Sequence, residues 1–371
     1  MNIENVEIPE PEINPFLKNY QDKSLNSKVS ALIDHQTKPG SGFPTLISNE
    51  EKYKESSFGS VKIDELDFCI FYNPTRTKNV RASTFTVPDQ NFQCFLCDLL
   101  PGQRGIKVLN NSYMIIVNPG ITIPGDLTIP TIHHELQKLE SHFLNMLDIA
   151  AELTDYSLFF NGPLAGATCP HFHFQAGIRD KLPGEQQINR LLTESHKSPM
   201  NKDYLFQDHR TEIFKITNFL RSNYCIFSSS KPAVLEFADH FFKKIKSLDQ
   251  KYIRKLPHIP DFGSVMKVFG EAEEEGRFNV MAKYYSDQKK YLAVFFPKIF
   301  NRPQLYFSKG PYQLTLGFAI KEALGHVLVT SKEDLHRIME NTELLRQAYL
   351  DTNLTDEMDR DLFQNLKGLY S

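Results

Sequence analysis

The sequence predicts an α+β protein: an antiparallel sheet with helices packed on it, in two similar halves of which the second is degenerate. Two observations carry this expectation. Residues 113–178 read as strand, helix, strand, strand, with short apolar strands and an amphipathic helix between them. After Phe278 the same style of strands followed by a helix returns. The chain then divides into an N-terminal lead-in over 1–60, a chemistry-bearing half over 61–180 and a second half over 181–371.

In chain order, the lead-in is mostly helical or irregular, with a turn at Pro39-Gly40-Ser41-Gly42. Asp67–Tyr72 and Tyr113–Asn118 are apolar runs bounded by turn residues, hence strands. Leu136, Leu139, Phe143, Met146, Leu147, Ala150 and Leu153 recur at helical spacing and predict an amphipathic helix over 133–154. Tyr156–Asn161 reads as a strand ending in the turn Asn161-Gly162-Pro163, and 170–178 as another. The polar stretch Lys181–Asp203 predicts loop or peripheral helix. Ser230 is a candidate N-cap ahead of Pro232, with Leu235, Ala238, Phe241, Phe242 and Ile245 on the buried face. Phe278–Tyr285 and Lys290–Phe296 flank Ser286-Asp287-Gln288-Lys289 as a hairpin. Leu314–Ile320 and His326–Thr330 are further strand candidates, and Ser331 with Asp334 resembles a capping box.

Composition bounds the function. With 41% hydrophobic and 23% charged residues the chain is globular. A net charge of −3 gives no case for bulk nucleic-acid binding, although an anion pocket needs only a few basic residues. Met1–Tyr20 is polar and acidic and does not read as a signal peptide, and no apolar stretch is long enough for a membrane span. The 5 cysteines, only Cys94 and Cys97 closely spaced, argue against a disulfide framework and for a reducing cytoplasm.

The chemistry concentrates in Cys169-Pro170-His171-Phe172-His173-Phe174-Gln175. On a strand, His171, His173 and Gln175 project from one face while Phe172 and Phe174 enter the core. Gly166-Ala167-Thr168-Cys169 ahead of them is small enough for backbone amides and a hydroxyl to approach a ligand. A neutral imidazole is a good nucleophile toward phosphorus, so His173 can take a nucleoside monophosphate as a nucleotidyl-histidine and pass it to a second acceptor. Nearby amides and the Thr168 hydroxyl would stabilise charge on the phosphoryl oxygens. The bland reading is a solvent-facing or locally satisfied histidine pair, since a bare His-x-His is a weak signal that also occurs in metal oxygenases.

The segment from Asn161 to Gln175 resembles the active-site segment of the histidine triad superfamily. Its closest likeness is to the branch of galactose-1-phosphate uridylyltransferase, diadenosine tetraphosphate phosphorylase and GDP-L-galactose phosphorylase, which carries His-x-His-x-Gln. That resemblance implies a histidine triad-like fold and a nucleotidyltransferase acting on a nucleotide or nucleotide sugar, with phosphate or a sugar phosphate as acceptor. It implies His173 as nucleophile, Gln175 holding the phosphoryl oxygens, and Asn161, Gly166 and Thr168 at the phosphate. Cys169 stands where the family has an asparagine. Asn118-Pro119, a strand over Asp126–Pro130 and then His133-His134 resemble the family's upstream element, with His133 and His134 both open as the motif histidine. Cys94-Phe95-Leu96-Cys97 resembles the branch's structural zinc motif, implying Cys94, Cys97, His134 and His171 as ligands; two thiolates and two imidazoles suit tetrahedral zinc. The alternative is a pair of small buried thiols or a redox pair. Arg76, after Asn73-Pro74-Thr75, and Lys298 and Arg302 in the second half are candidate phosphate contacts. Relatives with this fold often pair, which makes a homodimer an expectation. His142, His209, His240, His258, His326 and His336 have no assigned role.

Two other functions compete. Hydrolysis, with water as acceptor, is disfavoured because Gln175 cannot act as a general base. A non-catalytic nucleotide-binding or zinc-stabilised scaffold would leave His173 unmodified.

Overall fold

A computed structural model describes residues 2–40, 42–74, 94–256 and 269–370. Three helices open the chain, α1 (Glu10–Leu17), α2 (Leu25–Thr37) and α3 (Pro44–Tyr53). Strands β1 (Ser57–Ile63), β2 (Leu66–Tyr72), β3 (Gly105–Val108), β4 (Tyr113–Val117) and β5 (Leu127–Pro130) follow. Then come α4 (Phe143–Glu152), β6 (Tyr156–Asn161), β7 (His173–Ile178) and α5 (Pro183–Thr193). The second part holds β8 (Asn201–Gln207), β9 (Thr211–Thr217), β10 (Tyr224–Ser228), α6 (Lys231–Lys251), β11 (Phe278–Tyr285) and β12 (Lys290–Pro297). It ends with α7 (Gln304–Phe307), α8 (Ile320–Ala323), β13 (His326–Val329), α9 (Lys332–Glu340), α10 (Glu343–Thr352) and α11 (Asp356–Lys367).

The α+β expectation holds. A 10-stranded sheet runs β3-β4-β5-β7-β6-β11-β12-β10-β9-β8, with every neighbouring pair antiparallel. Read outward from the central β6–β11 pair, its two sides have matching connectivity: β6, β7, β5, β4, β3 on one, β11, β12, β10, β9, β8 on the other. A 3-stranded sheet, β1-β2-β13, lies apart from it, with β13 parallel to β2.

Side-chain alternation splits the large sheet into two faces. One face presents Phe172, Phe174, Phe160, Val280 and Phe295 to a core shared with α2, α4, α6 and α11. The other presents Phe159, Met281, Val294 and Phe296 to a second core, covered by β2, α5, β13, α9 and α10. His173 and Gln175 alternate with Phe172 and Phe174, so they belong to this second face, under the cover layer. Burying Phe172 and Phe174 completely stabilises the strand by roughly 1.5–3 kcal/mol each, and a shift of register by one residue would exchange them for the polar set.

Several expected elements differ. The helix expected over 133–154 begins only at Phe143. Its first ten residues instead follow the start of β7, with a bridge from Leu136 to His171 and a bond from Gln137 N–H to the Pro170 carbonyl. Leu136, an expected core position, is 42% exposed. The strand expected over 170–178 starts at His173. Lys181–Asp203, expected to be loop or peripheral helix, contains α5 and the beginning of β8. Leu314–Ile320 is not a strand; it is an irregular strap with one bridge, Leu316 to Val329, that ends in α8. The hairpin and both expected N-caps form: Ser230 accepts from Ala233 N–H and Ser331 from Asp334 N–H. No helix among the described residues is long and apolar enough to cross a membrane.

Candidate active site

His173 opens β7 opposite Pro130, and Gln175 lies opposite both Thr128 and Phe159. The strand's entry is clamped by Gln137, whose side chain is fully buried. Its Oε1 accepts from His173 N–H at 2.8 Å, and its Nε2 donates to the carbonyls of His173 and Asn161, each at 3.1 Å. One side chain therefore ties the end of β6 to the start of β7.

The ring of His173 is oriented by its own strand. Nδ1 lies 2.8 Å from the His171 carbonyl, which can only accept, so Nδ1 carries the proton. Nε2 then bears the lone pair, and it makes no hydrogen bond among the described residues. Burial holds this imidazole down to about 4, with the charge of His171 acting in the same direction and the bond to the His171 carbonyl opposing it. The ring is 6% exposed. This is a neutral, tautomerically fixed imidazole with a free nitrogen, the state a nucleophile needs.

Beside it, Asn161 Nδ2 donates to Gln175 Oε1 at 3.4 Å, which leaves the Gln175 amide N–H groups as donors. Asn161 Oδ1 accepts from Asn279 Nδ2 at 2.6 Å and from Ile320 N–H at 2.8 Å. The second half of the chain thus fixes Asn161 from β11 and from the strap. Asn279 also donates to the Ala165 carbonyl, pinning the small-residue loop. Gly166 adopts φ +113°, and a Cβ there would lie 2.8 Å from that of Ala319, so only glycine fits under the strap. Thr168 is exposed. Gln137 and Asn279 were not read from the sequence. Asn279 left a signal, a polar residue inside an apolar strand; Gln137 was hidden in an apparent helical repeat.

Cys94, Cys97, His134 and His171 come together with one ligand atom of each within 4.8 Å of the others. Cys97 Sγ is 3.2 Å from His134 Nδ1 and 3.3 Å from His171 Nδ1, and Cys94 Sγ is 3.5 Å from the latter. Tetrahedral zinc, with bonds of about 2.0–2.3 Å, sets ligand atoms roughly 3.3–3.8 Å apart, so these spacings fit. The ring is also held the right way round: His171 Nε2 donates to the Thr131 carbonyl at 2.8 Å, which leaves Nδ1 as the coordinating nitrogen. The cluster could hold a metal such as zinc. His133 is separate, with Nδ1 3.4 Å from Glu4 and a side chain 82% exposed, so His134 is the member of this pair at the cluster.

Cys169, expected beside phosphate, is fully buried with Sγ 3.8 Å from Cys94 Sγ. This contact lowers the Cys94 thiol and raises that of Cys169. Cys169 serves the cysteine cluster rather than the small-residue loop's surface. Asn118 is used in its own turn, donating to Asp126 and accepting from Gly120 N–H. Asp126 is buried and paired with Lys321 at 2.7 Å, which joins this turn to α8. Lys298 and Arg302, expected as basic groups for phosphate, are bound within the fold instead. Lys298 Nζ donates to the Phe318 carbonyl at 2.7 Å and Arg302 to that of Leu316 at 3.4 Å, so both hold the strap. Burial pushes Lys298 down to about 7. Arg76 lies outside the described residues.

The class that this sheet defines is the α+β fold of the Ap4A phosphorylases, the fold which the active-site strand resembled. The chain is structurally similar to yeast Ap4A phosphorylase Apa2, with a TM-score of 0.52, 14% identity, and 84% of this chain and 96% of that one covered. The same phosphorylase in complex with AMP aligns at 0.48, with 14% identity and the same coverage. A mutant uridylyltransferase aligns at 0.35, with 13% identity over 77% of this chain and 95% of that one. Residues 32–178 match the model of a domain of unknown function, DUF4922. No curated protein matches the chain by sequence.

Proposed function

We propose that the chain is a nucleotidyltransferase of the phosphorylase type, moving a nucleoside monophosphate through His173 to phosphate or a sugar phosphate. The observation that carries this reading is the His173 ring: Nδ1–H on the His171 carbonyl, Nε2 free, Gln175 next on the same face. The similarity to an Ap4A phosphorylase supports a dinucleoside polyphosphate or related nucleotide as donor.

In this reading Nε2 attacks the α-phosphorus and the P–O bond to the leaving group breaks. The product is a phosphoramidate on Nε2, while the proton stays on Nδ1, donated to the His171 carbonyl. Gln175 donates to a non-bridging oxygen, and the amides of Gly166 and Thr168 with the Thr168 hydroxyl share that charge, the Ala167 N–H being taken by the Gly162 carbonyl. An oxygen of the acceptor then attacks phosphorus and the P–N bond breaks, returning the neutral imidazole. Glutamine in place of a third histidine cannot itself deprotonate water, which favours phosphate or a sugar phosphate as acceptor.

Zinc on Cys94, Cys97, His134 and His171 would act as a structural crosslink holding the entry of β7. The matching strand order on the two sides of the sheet supports a duplicated histidine triad-like core, with 1–60 as lead-in, 61–180 as the catalytic half and 181–371 as a half without its own His-x-His.

The test is product analysis with dinucleoside polyphosphates, nucleotide sugars and nucleoside triphosphates, with and without inorganic phosphate. Cleavage that requires phosphate and gives a nucleoside diphosphate supports the proposal; equal cleavage without phosphate indicates a hydrolase. A folded His173→Asn protein that turns over donors normally contradicts both.

A further inference from the structure

Cys169 stands beside the group formed by Cys94, Cys97, His134 and His171 without belonging to it. Its Sγ is in contact with that of Cys94, at 3.8 Å, and both residues are free thiols. The Cys169 side chain is fully buried, in an apolar cluster that also holds Ile3, Val6, Met114 and Ile116. A thiol placed there is closed to dissolved reagents, and the reactive atom it touches is the Cys94 sulfur. Cys94 itself is reached from the other side. It is 9% exposed, its neighbour Cys97 is half-buried, and His134 at the rim of the group is exposed. The arrangement is that of an oxidisable thiol with a second, sheltered thiol at its back.

We infer that Cys94 and Cys169 form a redox switch, in which a hydroperoxide oxidises Cys94 and Cys169 then closes a disulfide onto it. In the first step the Cys94 sulfur attacks a peroxide oxygen. An S–O bond forms and the O–O bond breaks; sulfur is oxidised to the sulfenic acid, and the departing oxygen takes the thiol proton and leaves as water or an alcohol. In the second step the Cys169 sulfur attacks the Cys94 sulfur. The S–S bond forms, the S–O bond breaks, and the departing hydroxide takes the Cys169 proton as water. A thiol reductant reverses the bond by two exchanges.

The disulfide and the metal site exclude each other. Closing 3.8 Å to the roughly 2.05 Å of a disulfide draws the two sulfurs together by about 1.8 Å. Metal–ligand distances tolerate only about 0.2 Å, and a disulfide sulfur has no thiolate to offer. Cys169 is followed by Pro170, whose carbonyl accepts from Gln137 N–H, and then by His171. The switch therefore acts on the residues that lead into His173. Its metal half rests on the zinc reading of the cluster, whereas the disulfide does not.

The test treats the full wild-type chain with hydrogen peroxide and maps the product by tandem mass spectrometry. A bond joining Cys94 to Cys169 is expected, with a mass lower by two hydrogens and full reversal by dithiothreitol. In protein purified with zinc, the metal should pass to a chromogenic chelator at the rate at which the bond forms. In Cys169→Ser, Cys94 should stop at a sulfenic acid trapped by dimedone or run on to the sulfinic acid, and the reversible fraction should be lost. A bond from Cys94 to Cys97 instead, a Cys169 thiol left free after Cys94 is oxidised, a disulfide formed with zinc retained, or thiols that survive excess peroxide would each overturn the inference. Protein isolated without zinc that still forms the Cys94–Cys169 bond supports the switch and removes the zinc reading. If Cys169→Ser does not fold, the wild-type map decides.

Discussion

Replacing Gln137 with alanine should damage the site far more than its distance from the reacting atoms suggests. The wild-type side chain is fully buried and makes three hydrogen bonds, one from His173 N–H and one each to the carbonyls of His173 and Asn161. At about 1 kcal/mol net for each bond, the loss comes to about 3 kcal/mol, and more where a backbone group is left unsatisfied. The kinetic effect is separate. Without the clamp, the β6 end and the β7 start can drift apart, and a displacement near 1 Å at a reacting group costs about 100-fold in rate. Chemical denaturation gives the first quantity and single-turnover transfer from a nucleotide donor the second. Gln137→Glu keeps the acceptor for His173 N–H but sets a second oxygen against the carbonyls of His173 and Asn161 in a buried place, so it should be no better than alanine. An alanine variant within about 0.5 kcal/mol of wild type and with unchanged transfer would refute the clamp.

Other expectations follow from the same geometry. Zinc content should be lost in Cys94→Ser, Cys97→Ser and His134→Ala and kept in His133→Ala, as elemental analysis of the purified proteins can check. Gly166→Ala should lower transfer and cost about 1–3 kcal/mol, because its φ of +113° and the 2.8 Å approach to Ala319 both exclude a Cβ; a fully active, equally stable variant would contradict the close approach. Burial holds His142 and His326 near 4, against an ordinary 6.5. Their folded forms refuse a proton that the unfolded chain takes up, so the stability they contribute is present above pH 6.5 and lost as the pH falls toward 4. The slope is about 1.4 kcal/mol per pH unit for each. Buried Glu273 and Glu275, raised to about 7 and 8, act with the opposite sign. The histidine part must therefore be read as the difference between wild type and the His142→Gln/His326→Gln protein, and equal pH slopes would contradict it.

The most legible parts of the site were those set by short-range pattern. β6 lies where its apolar run and closing Asn-Gly-Pro turn predict, and the alternation of His171 to Gln175 with two phenylalanines fixed which groups share a face. The four cluster residues were legible because a Cys-x-x-Cys and two histidines occur in the order of a known motif. What the sequence could not show is imposed by tertiary contacts. Leu136 and Leu139 keep helical period with Phe143, yet residues 133–142 are held off the helix by His134 at the cysteines, Gln137 on β7, and Glu275 accepting from the N–H groups of Leu139 and Glu140. β8 is nearly as polar as a loop because it is an edge strand, with only Leu205 fully inside. The strap failed as a strand because its apolar residues fill the second core while its backbone carbonyls are taken by Lys298 and Arg302. Those two bases looked like phosphate ligands because burial cannot be read from a basic residue beside a proline.

The central claim is that His173 Nε2 becomes bonded to phosphorus during turnover. Intact-mass measurement of the protein mixed with a dinucleoside polyphosphate or nucleotide sugar, without acceptor, tests it most directly. The account predicts one added nucleotidyl group per chain, stable to alkali, labile to acid, mapped to His173 by peptide sequencing and discharged by phosphate or a sugar phosphate. Folded, donor-binding protein that stays at its unmodified mass with every donor, or carries the group elsewhere, would contradict it.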